Sequence, residues 1–217
     1  MVDDCSTDNT KKEIDKIKDK RIKYIKLDEN QGAPNARNIG IKLASGKFIA
    51  FQDSDDIFHY DKLKKQINNL IKNKSDFDFC KIFVNFNDTF KYIIPTNKTE
   101  EKINNSNIYD ELLNNGNFIS TQSILVKKKY VEKFLFDVNM PRLQDYDLIL
   151  RMLPKCKVSY TNEVLVYLYL QNNSITLSKM KLEDAVLRLL NKNYNLNSNQ
   201  KKNFTNYLKN LLKMIKK

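Results

Sequence analysis

Along the first half of the chain two hydrophobic periods alternate. Ser6 and Thr7 stand as N-cap candidates for a polar helix through about Asp19, with Ile14 and Ile17 on one face. RIKYIKL (21–27) alternates as a strand does. Pro34 suits the first position of a helix running PNARNIGIKLAS, which Gly46 is placed to close. KFIAFQ (47–52) reads as the next strand. DKLKKQINNLIKN (61–73) reads as an amphipathic helix with Leu63, Ile67, Leu70 and Ile71 as its apolar stripe, and FDFCKIFVNF (77–86) as another strand. Strands alternating with helices of this length predict an α/β fold with a mostly parallel, Rossmann-like sheet flanked by helices.

From about 95 to 118 the sequence turns polar and rich in Asn, which predicts a long excursion or lid. STQSILV (120–126) reads as a strand, RLQDYDLILRML (142–153) as a helix, and VSY with EVLVYLYL (158–170) as strand material. The remainder, from about 179, reads as helical and basic. With 217 residues and 41% hydrophobic content, the chain can bury a core as one large domain or a domain with an appendage. That content argues against wholesale disorder.

Charge narrows the partners. The chain carries 38 Lys+Arg against 26 Asp+Glu, a formal +12. This balance suits a nucleotide, a nucleic acid or an acidic membrane surface, or else reflects a Lys- and Asn-rich composition spread over solvated faces. Cys5, Cys80 and Cys156 are far apart, without metal-ligand spacing, and fit a reducing cytoplasm. No signal-peptide pattern and no apolar stretch of about 18 residues is present, so a secreted or membrane-spanning segment is not expected.

Against that basic background, KFIAFQDSDDIF crowds Asp53, Asp55 and Asp56 at the end of an apolar strand. Clustered carboxylates repel, and desolvating them costs several kcal/mol unless positive charge sits among them. In an open α/β sheet ligands bind beyond the carboxyl ends of the strands. An Asp-x-Asp pair there offers hard oxygen ligands for Mg²⁺ or Mn²⁺ bound partly through a substrate's phosphates. The plainer reading is an acidic N-cap for the helix that starts near Asp61.

The cluster has company. VDDCSTDNT places Asp3 and Asp4 at the end of an apolar segment, followed by a Ser/Thr/Asp turn and a helix. NQGAPNARNIGIKLASGKFIAFQDSDD then joins a glycine loop, an Arg-Asn helix and the acidic strand end, and LQDYDLILRM (143–152) follows later. In these ordered motifs, over roughly residues 1–170, the sequence resembles the glycosyltransferase family 2 enzymes, of the GT-A fold. Their signature runs Val-Asp-Asp-Gly-Ser-x-Asp, Asn-x-Gly, Ala-Arg-Asn, Gly-x-x-Ile, Asp-x-Asp-Asp and Glu-Asp-Tyr-Asp-Leu-x-Leu-Arg.

The resemblance implies an inverting, metal-dependent transfer from a nucleotide-sugar donor, UDP-sugar in the first instance. The acceptor would be a saccharide or lipid-linked glycan in cell-surface glycan synthesis. Asp4, with Asp3 nearby, would accept a hydrogen bond from the uracil edge. Asp53 would sit near the ribose, and Asp55, with Asp53, would hold Mn²⁺ or Mg²⁺ on the diphosphate. Arg37 would lie on the nucleotide side of the cleft or anchor its helix to a carboxylate. Asp145 matches the catalytic base, and Asp147 shares its helix; the plainer reading of both is a solvated helix face with an N-terminal dipole preference.

Departures from the pattern are Cys5 for glycine, Gln144 for glutamate, and Gln171 where many relatives carry a metal-holding histidine. His59, the sole histidine, reads as a surface or helix-start residue. The resemblance also implies a first strand and helix upstream, so the chain is read as N-terminally truncated. The expected organisation is a nucleotide-sugar-binding half (1–95), an acceptor half with the base (96–172) and basic C-terminal helices (173–217). In the last of these, Phe204, Leu208, Leu211, Leu212 and Ile215 form an apolar stripe suited to an anionic membrane surface or to the protein's own core. A protein at the cytoplasmic face of the membrane, without a nucleic-acid partner, is expected. The alternatives are an inactive fragment that only binds nucleotide-sugar and a basic nucleic-acid-binding protein.

Overall fold

The computed structural model describes residues 1–86, 90–105, 107–170 and 178–216. Two short strands, β1 (Val2–Asp3) and β2 (Ile25–Lys26), pair in parallel as a separate ribbon, with α1 (Thr10–Asp15) between them in sequence. Then α2 (Ala33–Leu43) leads into β3 (Phe48–Ala50). Its N-cap, Gly32, sits at φ 85°, where a side chain would be strained. The helix ends on Ala44, before Gly46. β4 (Ile57–Phe58), α3 (Lys62–Asn73) and β5 (Phe77–Phe86) follow.

The α/β expectation holds, with a different sheet sense. β6 (Phe90–Ile94) lies antiparallel to β5, since the residues between them are too few for a crossover. β7 (Ile124–Lys127) is antiparallel to both β3 and β5, which places it between them. Only β8 (Val158–Leu170) runs parallel to β5, along its whole length, and β4 pairs antiparallel to β8. Thus β3, β5 and β8 share one direction and the sheet is mixed. A strand that opposes its neighbours begins where they end. The turn before β7, Thr121–Ser123, is therefore delivered to the carboxyl end of β3 and alongside the middle of β5, where Cys80 Sγ lies 3.6 Å from the Ser123 carbonyl.

The helix α3 is rotated from the face expected of it: Leu70 is buried and Ile67 half-buried as expected, but Leu63 and Ile71 are exposed, while Lys62 and Gln66 are buried. The cause lies on β5, where Asp78 is fully buried. It accepts hydrogen bonds from Gln66 Nε2 (3.0 Å), Asn69 Nδ2 (2.8 Å), Ser159 Oγ (2.7 Å) and Thr161 Oγ1 (2.8 Å). A buried carboxylate without such donors would cost more than two exposed aliphatic side chains.

The polar stretch expected as a lid is instead helical and packed. It forms α4 (Asn97–Asn105) and α5 (Ile108–Asn115), and Ile103, Leu112 and Leu113 enter the core. After α6 (Lys128–Phe134) and α7 (Gln144–Met152), the C-terminal α8 (Lys179–Asn191) and α9 (Ser198–Ile215) join that same core rather than standing apart from it. Phe204 meets Tyr146 and Tyr194 edge-on, at 6.1 and 5.7 Å between centroids. Gly116, at φ 88°, closes α5 where a Cβ would lie 2.0 Å from the Tyr207 hydroxyl of α9. The apolar stripe of α9 faces this core, which removes it as a membrane-facing surface. Among the described residues no helix is long and apolar enough to cross a membrane.

Candidate active site

The carboxyl ends of β3, β5 and β8 and the first turn of α7 enclose a cleft of about 440 Å³. It gathers Arg37, Asp53, Asp55, Asp56, Gln122 and Asp145, residues up to 108 positions apart in sequence (37 to 145).

Asp53, just beyond β3, is firmly held. Arg37 Nη2 reaches both its oxygens, at 2.9 and 2.8 Å, and Gln122 Nε2 donates to Oδ2 at 2.7 Å. Arg37 thus anchors α2 to a carboxylate, and its Nη1 also reaches Gln144 Oε1 at 3.4 Å. Gln122, on the turn before β7, was not legible as a site residue. Its one signal, the antiparallel sense of β7, is a property of the fold. The turn is fixed from beneath, because Gln66 Nε2 of α3 donates to the Ser123 carbonyl at 2.9 Å.

Asp55 is exposed, whereas Asp56 is buried. Burial, then the charges of Asp55 and Asp53, push the Asp56 carboxyl up to about 6. Among the described residues no three His, Cys, Asp or Glu side chains gather into a ready metal cage. The donor set instead fits a hard cation shared with substrate phosphates, for which one or two carboxylates suffice. His59 lies at the start of α3, its Nδ1 accepting from the Asp61 N–H at 3.2 Å. Gln171 falls outside the described residues.

Asp145 and Asp147, on one helix, have unlike surroundings. Asp145 lines the cleft at the N-terminus of α7; burial raises its pKa, against the pull of neighbouring N–H groups and Arg37. Asp147 points away and is fully buried. It takes Arg151 Nη2 (2.8 Å), Lys192 Nζ (2.6 Å) and the Tyr194 hydroxyl (2.8 Å), tying α7 to the segment after α8. Neither aspartate sits on a solvated face.

Asp3 and Asp4 lie on the ribbon and organise its loop. The Asp4 carboxylate accepts from the N–H groups of Gln31 and Gly32, each at 2.8 Å, which ties it to the turn that opens α2. Asp3 accepts from Ser6 N at 2.7 Å and from the Tyr24 hydroxyl, which hold its carboxyl below the usual range. Cys5 adopts φ 67°, a left-handed conformation that a glycine would take without strain.

Across the cleft the sheet is apolar. Cross-strand rows set Ile94 beside Ile82, and Val84 between Tyr92 and Leu168. One wall therefore carries carboxylates and the other offers a hydrophobic face, with Asp145 at their junction.

Comparison with known proteins agrees with this architecture. The family model for glycosyl transferase family 2 matches residues 1–135. The glycosyltransferase TuaG of Bacillus subtilis, named for teichuronic acid biosynthesis, is 34% identical over 192 residues, covering 83% of this chain and 70% of its own. The Escherichia coli UDP-Glc:α-D-GlcNAc-diphosphoundecaprenol β-1,3-glucosyltransferase WfgD is 32% identical over 164 residues, covering 75% of this chain and 60% of its own. Staphylococcus aureus TarS (1–349), in complex with UDP-GlcNAc, superposes with a TM-score of 0.69 at 20% identity, over 92% of this chain and 59% of that one; this likeness shows the fold. The chain thus spans about six- to seven-tenths of the length of these relatives. On the family match and the shared sequence, the chain belongs to glycosyl transferase family 2.

Proposed function

We propose that the chain transfers a sugar from a UDP-sugar donor to a saccharide or lipid-linked acceptor, with inversion, in the synthesis of a cell-surface glycan. The observation that carries the reading is the meeting of the Asp53–Asp56 cluster with Asp145 in one cleft. Residues 1–95 would bind the donor and 96–172 the acceptor, with 173–217 buttressing α7. The work would take place at the cytoplasmic face of the membrane, where lipid-linked acceptors are reached.

In this reading Asp4 meets the uracil edge, with Asp3 holding the loop in shape, and Asp53 meets the ribose, oriented by Arg37 and Gln122. Mn²⁺ or Mg²⁺ would be held chiefly by Asp55 and secondarily by Asp53; when bound, it neutralises charge on the departing diphosphate. Asp145 takes the proton from the acceptor hydroxyl as its oxygen forms the new bond to the anomeric carbon. The bond from that carbon to the diphosphate oxygen breaks on the opposite face, and its electron pair leaves with the UDP. The raised pKa of Asp145 brings the base nearer neutrality, where proton transfer is most efficient.

The test is a transfer assay with labelled UDP-glucose and UDP-N-acetylglucosamine and a polyprenyl-diphosphate-linked sugar, with the product's anomeric configuration read by NMR. An α-linked donor should give a β-linked product. Retention of configuration, or no transfer and no UDP release from either donor, would overturn the reading.

A further inference from the structure

Among the described residues lining the cleft only two are cations, and they are held differently. Arg37 is neutralised by Asp53 through two short contacts. Arg142, just ahead of α7, is not. Its Nη1 donates to the Ser178 carbonyl at 2.9 Å, and no carboxylate forms an ion pair with it among the described residues. A guanidinium carries five N–H donors in a planar fork, and that fork matches the paired oxygens of a phosphate or carboxylate. A half-buried cation with one carbonyl partner among the described residues is an incomplete arrangement, and an anion from outside completes it.

The location says which substrate brings that anion. Arg142 lines the same cleft as Asp145 and feels its charge. The donor diphosphate belongs with Asp55 on the carboxylate wall. Arg142 stands three residues before the base, where the acceptor must lie. The sheet residues that line the cleft, Ile82, Val84, Tyr92, Ile94 and Leu168, bring no further charge to it. We propose that Arg142 receives an anionic group of the acceptor, a phosphate or a carboxylate, and so sets the acceptor hydroxyl against Asp145. This rests on the sugar-transfer reading and adds a substrate class to it: the acceptor is an anionic glycan or glycan phosphate rather than a neutral one.

The experiment uses the chain saturated with UDP and Mg²⁺, after UDP binding itself has been measured by calorimetry. Glucose 1-phosphate, glucuronate and glucose are then titrated as probes of phosphate, carboxylate and neutral acceptors. At least one anionic probe should bind tenfold or more tighter than glucose, the scale of a charge-assisted pair, and the stronger of the two names the source of the charge. Arg142→Gln should abolish the preference while UDP affinity stays within about twofold, and Arg142→Lys, which keeps charge but loses the fork, should retain part of it. If Arg142→Gln does not fold, a several-fold loss of preference in Arg142→Lys carries the test. Equal binding of all three probes, a preference that survives both substitutions, or a loss confined to UDP affinity would overturn the proposal and leave the sugar-transfer reading standing. Absence of UDP binding would overturn both.

Discussion

Gln122 donates a hydrogen bond to Asp53 across 2.7 Å, joining the turn before β7 to the end of β3. Arg37 grips the same carboxylate from α2. Asp53 is therefore preorganised before any nucleotide arrives. A hydrogen bond to a charged group is worth about 1.5–3 kcal/mol. Gln122→Leu should accordingly weaken UDP binding by roughly tenfold or more while leaving the fold intact. Calorimetry on the purified variant checks this; unchanged affinity would show that the orientation of Asp53 is immaterial.

Asp145 and Asp147 should part company under the same substitution. Asp145→Asn should cut sugar transfer by about 10²–10⁴-fold, the range for a lost general base, with UDP affinity and melting temperature nearly unchanged. Asp147→Asn removes the charge that faces Arg151 and Lys192, and should lower stability by about 3–5 kcal/mol, the scale for breaking a buried pair. Denaturant unfolding of both variants, alongside turnover, distinguishes them. A stable, inactive Asp147→Asn would assign the base to the wrong residue.

How much of this was legible in the sequence depends on whether the signal was local. The strand FDFCKIFVNF matches β5 end to end, and the acidic cluster marks the strand end where the cleft lies. Periodicity misassigned the buried face of α3 because a single distant carboxylate, Asp78, recruits Gln66 and Asn69 inward. The Asn-rich stretch hid Ile103, Leu112 and Leu113, three residues that carry the packing of α4 and α5. Gln122 was invisible because strand direction is set by the whole sheet rather than by neighbouring residues.

The rotation of α3 makes its own prediction. Gln66→Leu, a change toward hydrophobicity, should destabilise the chain by about 1–3 kcal/mol, since it strips a donor from Asp78 and from the Ser123 carbonyl. Ile71→Ser, on the exposed face, should stay within about 0.5 kcal/mol. Urea midpoints of the two variants test this directly, and the reverse order would restore the face expected from periodicity.

Lys62 supplies a pH test. It is buried, with its ammonium donating to Gln66 Oε1 at 2.7 Å and lying 4.3 Å from the centre of the Phe58 ring. Burial lowers its pKa from 10.5 to about 8. Below about pH 8 both the folded and unfolded chains hold the proton, and the buried charge costs stability. Between about 8 and 10.5 the unfolded chain binds more protons, so stability rises with pH. The melting temperature of the wild type relative to Lys62→Met should therefore increase from pH 8 to pH 10. A difference that stays flat with pH would contradict the assignment.

The central claim is that the strand-end carboxylates and the cleft receive a nucleoside diphosphate together with a divalent cation. Calorimetric titration of UDP into the wild-type chain and into Asp55→Asn, each with Mn²⁺ and with EDTA, tests it most directly. The account predicts that Mn²⁺ strengthens UDP binding to the wild type at least tenfold, and that Asp55→Asn loses most of that gain while still folding. UDP affinity that is the same with Mn²⁺ as with EDTA, or a gain that Asp55→Asn keeps in full, would contradict it.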